Sequence, residues 1–248
     1  MKHLFAALLA CLCIATATPA FAQACVDAPE PEVVENRDGS RLRVIAECLA
    51  PGDEASEPRF AYHVQRAAPD RADFEPLLDL VSDAMDEPVR SVNLIDVDGD
   101  GRFEVEARGM CGAGPNCGGD LYRLDASGTS LVHFFSGGYA DLRWIDGYLI
   151  ESGRASCCAW EHHAWRAEGV DTLVEREMDL MITIGADLAA ETDDAPARCT
   201  FSRRSGDNWQ VVDPPGPAWL TLCAIYGDDY HLVTPEQARA EAVDAQEQ

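Results

Sequence analysis

Residues 96–104 read DVDGDGRFE, in which three aspartates alternate with other residues, two glycines allow a tight bend, and a glutamate closes the segment. Calcium binds about six to eight oxygen ligands, and alternating aspartates can direct several carboxylates at one point. The flanking segments VRSVNLI (89–95) and FEVEAR (103–108) alternate apolar and polar residues, which predicts a strand on each side. The stretch therefore predicts a cation-binding loop between two strands of a sheet.

The remainder of the chain contains many short, aromatic-rich alternating segments separated by turn signals such as RDGS (37–40), DASG (125–128) and SGDN (205–208). This pattern predicts a mainly β protein with antiparallel meander or propeller-blade-like sheets, short helices and disulfide bonds. Over 74–85 the apolar spacing predicts a short helix, with a strand as the alternative.

Composition divides the chain into five segments. We expect a signal peptide at 1–22, a main β domain at 23–184 that contains the loop 96–104, an acidic linker or loop at 185–197, a small C-terminal hairpin unit at 198–233, and a helical tail at 234–248. In the tail, Thr234 is the expected cap and Pro235 lies in the first turn. The tail has little to bury, so we expect it to fray.

The first residues have the features of an export signal. Lys2 gives a positive start, residues 4–17 are mostly apolar, and Ala20-Phe21-Ala22 is a small-x-small cleavage site. The apolar run is too short to span a bilayer. We therefore expect an exported protein, either periplasmic or secreted. The sequence leaves open whether Cys25 is lipidated.

The charge of the chain restricts its partners. The formal net charge is −25 at pH 7, which argues against nucleic acid and anionic lipid and favours cations. No stretch after the leader is long and apolar enough to span a membrane. A protein or a glycan is the expected partner, and the sequence does not determine the oligomeric state.

Cysteine usage supports export. Two of the ten cysteines lie in the leader, and the other eight form an even set that is typical of a disulfide framework. Proximity in sequence suggests three pairs, namely Cys25–Cys48, Cys111–Cys117 and Cys199–Cys223. The adjacent Cys157 and Cys158 could bond to each other, or each to one member of the 111/117 pair.

The acidic loop resembles the calcium loop of FG-GAP/VCBS-type repeats, which occur in integrin-like β-propellers. The resemblance extends over about residues 89–166 and includes a single copy of the loop, as in some exported bacterial proteins. It implies a structural calcium ion held by the side chains of Asp96, Asp98, Asp100 and Glu104 and by the backbone carbonyl of Arg102. An EF-hand fits less well, because both flanks are predicted strands and Ala107 occupies loop position 12.

A second candidate site is SCCAWEHHAW (156–165). Thiolates and imidazoles suit zinc or copper(I), so Cys157, Cys158, His162 and His163 form an alternative metal or redox site. Neighbouring residues of a strand point to opposite faces, however, so the four side chains do not easily converge.

The sequence contains no G-x-S-x-G, H-E-x-x-H, Walker or Rossmann motif, so it names no catalytic residue. The aromatic residues are interpreted mainly as core, with a ligand-binding face as the alternative: Phe134, Phe135, Tyr139, Trp144, Tyr148, Trp160 and Trp165. We expect a structural or interaction module of the cell envelope. The alternatives are a hydrolase of envelope polymers, with an unlocated pair of acids, and a thiol or metal protein.

Overall fold

A computed structural model describes residues 30–49, 59–81, 89–186, 195–206 and 208–246. The predicted signal peptide, Cys25 and most of the predicted linker lie outside the described residues. Within the described part of the chain, neither helix is long and apolar enough to cross a bilayer.

The described residues form fifteen strands and two short helices. The strands of the first half are β1 Glu32–Glu35, β2 Arg41–Leu49, β3 Arg59–Ala67, β4 Glu75–Val81, β5 Ser91–Ile95, β6 Glu104–Cys111, β7 Cys117–Leu124 and β8 Leu131–Tyr139. The later strands are β9 Asp141–Ile145, β10 Tyr148–Ser156, β11 Ala159–Arg166, β12 Leu180–Gly185, β13 Ala197–Ser205, β14 Asn208–Val211 and β15 Tyr230–Leu232. A 3₁₀ helix spans Pro217–Tyr226, and helix α1 spans Pro235–Gln246.

The strands form three consecutive sheets. The first has the order β1-β2-β3-β4, the second β5-β6-β7-β8 and the third β14-β13-β12-β11-β10-β9, with β15 beside β13. All pairings are antiparallel except the one between β13 and β15. The prediction of a mainly β, antiparallel fold is confirmed, and the described strands do not close into a barrel or a propeller.

Apolar side chains join each sheet to the next. Leu42 and Val64 of the first sheet pack with Leu94 and Val105 of the second. The opposite face of the second sheet contributes Leu121, Phe134 and Phe135 to another layer, which includes Leu149 of the third sheet. The middle sheet is therefore covered on both faces, which is the usual way in which a sheet buries its apolar surface.

The third sheet has a further core on its outer face. Ile150 and Ile182 pack there against Trp219 and Leu222 of the 3₁₀ helix. Strand β13 pairs with β12 on one side and with β14 on the other, so the hairpin of the expected 198–233 unit is continuous with this sheet.

Helix α1 begins with the expected cap. The Gln237 backbone N–H donates to Thr234 Oγ1 at 3.3 Å, and Gln237 Oε1 accepts from the Thr234 N–H at 2.9 Å. This reciprocal pair is a capping box, which satisfies two backbone donors that the helix leaves free.

The helix expected over 74–85 is wrong, because Glu75–Val81 forms strand β4. Leu78 lies opposite Val64, and Leu80 lies opposite Tyr62, so both leucines face the first core. Closely spaced leucines fit a helix and a strand equally well, and pairing with β3 decides in favour of the strand.

Two of the expected disulfides are present, Cys111–Cys117 and Cys199–Cys223. The first closes the turn between β6 and β7, and the second fastens the 3₁₀ helix to β13. Cys48 is also disulfide-bonded, and its expected partner, Cys25, lies outside the described residues. Disulfide bonds are typical of proteins that mature in an oxidising compartment.

Substitutions at two adjacent glycines of β8, Gly137 and Gly138, can test the packing between the second and third sheets. A Cβ at Gly137 would lie 2.7 Å from the Phe135 ring and would also clash with Glu151, whereas a Cβ at Gly138 would meet nothing within 4 Å. We expect Gly137→Ala to lower the free energy of unfolding by about 1–3 kcal/mol, as overpacking does. Gly138→Ala, the control, should change it by less than about 0.5 kcal/mol. Urea unfolding measures both, and equal effects would contradict this packing.

Candidate metal centre

The acidic loop joins β5 to β6, as the sequence predicts. Gly99 and Gly101 have φ angles of +72° and +82°, in the left-handed region that other residues rarely adopt. The bend that they allow brings the two ends of the loop together. Asp96 and Glu104 consequently lie at the bases of neighbouring strands.

Hydrogen bonds inside the loop use one oxygen of each aspartate. Asp96 Oδ2 accepts from the Gly101 N–H at 3.0 Å, Asp98 Oδ1 from the Asp100 N–H at 3.1 Å, and Asp100 Oδ1 from the Arg102 N–H at 2.7 Å. Each carboxylate therefore keeps its second oxygen for another partner. Asp96 Oδ1 is buried and has no hydrogen-bond partner among the described residues, an arrangement that is costly unless a ligand satisfies it.

Asp96, Asp98 and Glu104 form a compact group. One carboxylate oxygen of each lies within 4.8 Å of the others, and the described residues contain no second group of three or more potential His, Cys, Asp or Glu ligands. Asp100 is exposed and lies outside this group. A donor set made only of oxygens fits a hard cation such as calcium.

Arg123 of β7 contacts these carboxylates, and no motif in the sequence indicates this role. Its Nε donates to Glu104 Oε1 at 3.1 Å, and its Nη2 donates to Asp98 Oδ2. The guanidinium also lies 4.2 Å from the centre of the Phe134 ring and 5.1 Å from that of Trp144. Its charge is thus held between two acids and two aromatic rings.

Glu104 is the buried member of the group, with 4% of its surface exposed. Burial raises the pKa of this carboxyl to about 7, and the positive charge of Arg123 opposes the shift. Its Oε2 also accepts from the Val97 backbone N–H at 3.0 Å. A second positive charge beside Glu104 would stabilise its ionised form further.

The loop also contacts the first sheet. The Arg37 backbone N–H donates to the Gly101 carbonyl at 2.7 Å, and the Phe103 N–H donates to Asn36 Oδ1 at 2.8 Å. Both contacts reach the turn between β1 and β2. Because Trp144 belongs to β9, the loop and Arg123 together lie where all three sheets meet.

The cysteine–histidine stretch does not converge into one site. Cys157 and Cys158 form the exposed turn between β10 and β11, with their Sγ atoms 2.7 Å apart. His162 is buried beside Ser152 Oγ at 2.8 Å, whereas His163 lies on the other face between Glu151 and Glu161. The opposed faces agree with the alternation of a strand. A thiol role for the two cysteines stays a prediction.

A serine, a histidine and an aspartate do meet on the second sheet. Ser136 Oγ lies 2.5 Å from Asp120 Oδ1 and 2.9 Å from His133 Nε2, and the same Nε2 lies 3.1 Å from that Oδ1. In a catalytic triad the acid holds one ring nitrogen and the serine the other. Here one nitrogen faces both groups, so this cluster lacks the geometry of a relay.

The aromatic residues are mostly core. Four are buried, namely Phe134, Phe135, Tyr139 and Tyr148. Trp144, Trp160 and Trp165 are partly buried. The core interpretation therefore holds for the four buried rings, and a ligand-binding role for the three partly buried tryptophans stays a prediction.

Comparisons with known proteins add little to this geometry. No family model matches the sequence, and no curated protein matches it. Among solved structures, the chain is similar to one described as a Xanthomonas Type IV Secretion System related protein, at 14% identity and a TM-score of 0.45. That match covers 74% of this chain and 93% of the other. A likeness at this level carries no conclusion about function.

The burial of His162 should make the free energy of unfolding depend on pH, and a variant that lacks this histidine should lose that dependence. Burial lowers its pKa to about 4 from an ordinary 6.5, so the unfolded chain binds a proton that the folded chain does not as pH falls through this range. We expect stability due to this group to be full above pH 6.5 and to fall by about 3 kcal/mol by pH 4. Urea unfolding should show this loss in the wild-type chain relative to His162→Gln. Parallel profiles for the two proteins would contradict the assignment.

Proposed function

We propose that this protein is an exported calcium-binding β protein, and that it acts as a structural or interaction module of the cell envelope. The main observation in support is that the carboxylates of Asp96, Asp98 and Glu104 cluster together while the buried Asp96 Oδ1 has no hydrogen-bond partner among the described residues. The proposed ligands are these three side chains, the Asp100 carboxylate and the Arg102 carbonyl, as in an FG-GAP-type loop. The disulfide bonds support the export part of the proposal.

The proposed role of the ion is structural. A calcium ion would supply positive charge to a group of carboxylates that otherwise depends on Arg123. It would stabilise the loop that contacts the turn between β1 and β2. Extracellular calcium modules typically have dissociation constants of about 10⁻⁴ to 10⁻³ M, so an exported protein would hold the ion under most conditions. The surface formed by the loop and by the turn between β1 and β2 would then be ordered for contact with a protein or glycan partner.

Calcium should stabilise the mature protein through this loop. An ion present at about 100 times its dissociation constant adds about 2.7 kcal/mol, which corresponds to about 5–10 °C in Tm for a domain of this size. We expect calcium to raise Tm by this amount relative to chelator, and Asp96→Asn to abolish most of the increase. Differential scanning calorimetry in both conditions measures the effect.

Asp125→Asn is the matched control. The Asp125 carboxylate accepts from Ser127 and Thr129 in the turn between β7 and β8, and it belongs to no group of potential ligands among the described residues. It should keep the full calcium response. An equal response in the wild-type protein and Asp96→Asn would show that the loop is only a turn.

Arg123 should compete with the ion. In Arg123→Met the chelated protein should lose about 3 kcal/mol, since breaking a buried ion pair leaves its acids uncompensated. Calcium should then raise its Tm by more than in the wild-type chain, because no guanidinium holds Asp98 and Glu104. The control is Arg204→Met, whose exposed pair with Glu177 at 3.1 Å should contribute less than about 1 kcal/mol. A smaller calcium response in Arg123→Met than in wild type would contradict competition.

A further inference from the structure

A cavity of about 220 Å³ lies at the rim between the first two sheets. Strands β3 and β4 and the connection between them supply seven of its eight lining residues, and Thr129 from the β7–β8 turn is the eighth. The lining residues with polar side chains are Arg66, Arg71, Asp73, Glu75 and Thr129. This cavity is separate from the smaller one beside the acidic loop, which is lined by Asp98, Glu104 and Arg123.

Arg66 is the notable group in this wall. Its Nε is buried without a hydrogen-bond partner, and its guanidinium forms no ion pair within 4.0 Å with the described residues. Arg71, on the same wall, likewise has no ion pair with any residue in the described ranges. Asp38 lies close enough for the charge of Arg66 to contribute to the lowered pKa of Asp38, after the hydrogen bonds from Ser40, but it does not reach the Nε of Arg66. A buried donor without a partner indicates a missing acceptor.

Some arginines of the described chain pair with acids. The acidic partners lie within 4.0 Å of each guanidinium. These arginines are Arg108, Arg123, Arg143, Arg198 and Arg204. Arg41, Arg43 and Arg166 form no such ion pair with the described residues, but their guanidiniums donate to the Arg71 carbonyl, to Gln65 Oε1 and to the Tyr148 hydroxyl. Arg66 differs from them because its buried Nε has no acceptor among the described residues.

The wall that carries Arg71 is held in place by two further arginines. Arg41 Nη2 donates to the Arg71 carbonyl at 2.7 Å. The guanidiniums of Arg41 and Arg43 also lie 5.2 Å and 4.1 Å from the centre of the Phe74 ring. Cation–π contacts of this kind contribute about 0.5–1 kcal/mol each at exposed sites. The segment between β3 and β4 is therefore fixed before a ligand arrives, which lowers the entropic cost of binding.

We propose that this cavity binds the carboxylate of an acidic sugar residue. The planar guanidinium of Arg66 suits two parallel hydrogen bonds to a carboxylate, with Arg71 adding a second positive charge. Asp73, Glu75 and Thr129 can accept hydrogen bonds from the hydroxyl groups of the ring. The two acids balance the two arginines in formal charge, which favours a singly charged ligand over a multiply charged phosphate.

The size of the cavity fits this assignment. Pockets for drug-sized ligands measure about 300–1,000 Å³, so a cavity of about 220 Å³ admits one ring of a chain and leaves its neighbours in solvent. A uronic acid within a longer polymer has the required carboxylate and hydroxyls. The described lining of this cavity contains no aromatic side chain, so charge and hydrogen bonds supply the recognition.

The test uses the full mature chain and D-glucuronate as the probe, with D-glucose and inorganic phosphate for comparison. Isothermal titration or ligand-observed NMR measures each affinity, in chelator so that the calcium loop does not contribute. We expect saturable glucuronate binding that is at least about tenfold tighter than that of glucose or phosphate, since a charge-assisted hydrogen bond contributes about a tenfold difference or more. Equal affinity for glucose and glucuronate would overturn the proposal. Phosphate binding as tight as glucuronate binding would also overturn it.

Variants locate the site. Arg66→Gln should weaken glucuronate binding at least about tenfold, while Arg176→Gln, which removes an exposed arginine before β12, should leave it unchanged. If Arg66→Gln does not fold, the exposed Arg71→Gln takes its place and should weaken binding by about threefold or more. Binding unaffected in a folded Arg66→Gln or Arg71→Gln protein would show that the ligand lies elsewhere.

Discussion

The contact between Glu104 and Arg123 is the point on which this structure depends. Glu104 is almost fully buried where strand β6 begins, and a buried carboxylate is tolerated only with a counter-charge and hydrogen-bond donors. Arg123 supplies the charge, and the Val97 N–H supplies a further donor. Since Arg123 also packs on Trp144 of the third sheet, the counter-charge that the loop requires adds a contact to the apolar layer between the two sheets.

The contact between Glu104 and Arg123 also leaves a specific role for a calcium ion in the acidic loop. A guanidinium and a calcium ion both satisfy carboxylates, but the guanidinium leaves Asp96 Oδ1 without a partner. The acidic loop thus has one internal cation and a remaining oxygen that this cation does not reach. The arginine cavity shows the opposite arrangement, because there a buried donor, Arg66 Nε, has no acceptor among the described residues. Asp96 Oδ1 and Arg66 Nε are thus two of the few buried polar atoms in the described residues that have no hydrogen-bond partner. Each such atom in a folded protein requires an explanation, and a missing ligand is one explanation.

Local signals in the sequence were sufficient for the acidic loop, for the Thr234 cap and for two disulfides, because each depends on residues close in sequence. They were insufficient at β4, where Leu77, Leu78 and Leu80 fit a helix until the pairing with β3 is known. Arg123 and Arg66 could not have been identified, because their roles depend on strand register and on contacts between sheets. Sequence therefore located the carboxylates of the candidate site and missed the cation beside them.

The packing of the three sheets in sequence order affects how the chain folds and how it opens locally. Most strand pairs join neighbours in sequence, so each sheet can form from local hairpins. The two outer sheets each protect one face of the middle one. Amide protons of β6 and β7 should therefore exchange last, whereas an outer sheet can open while the rest remains folded.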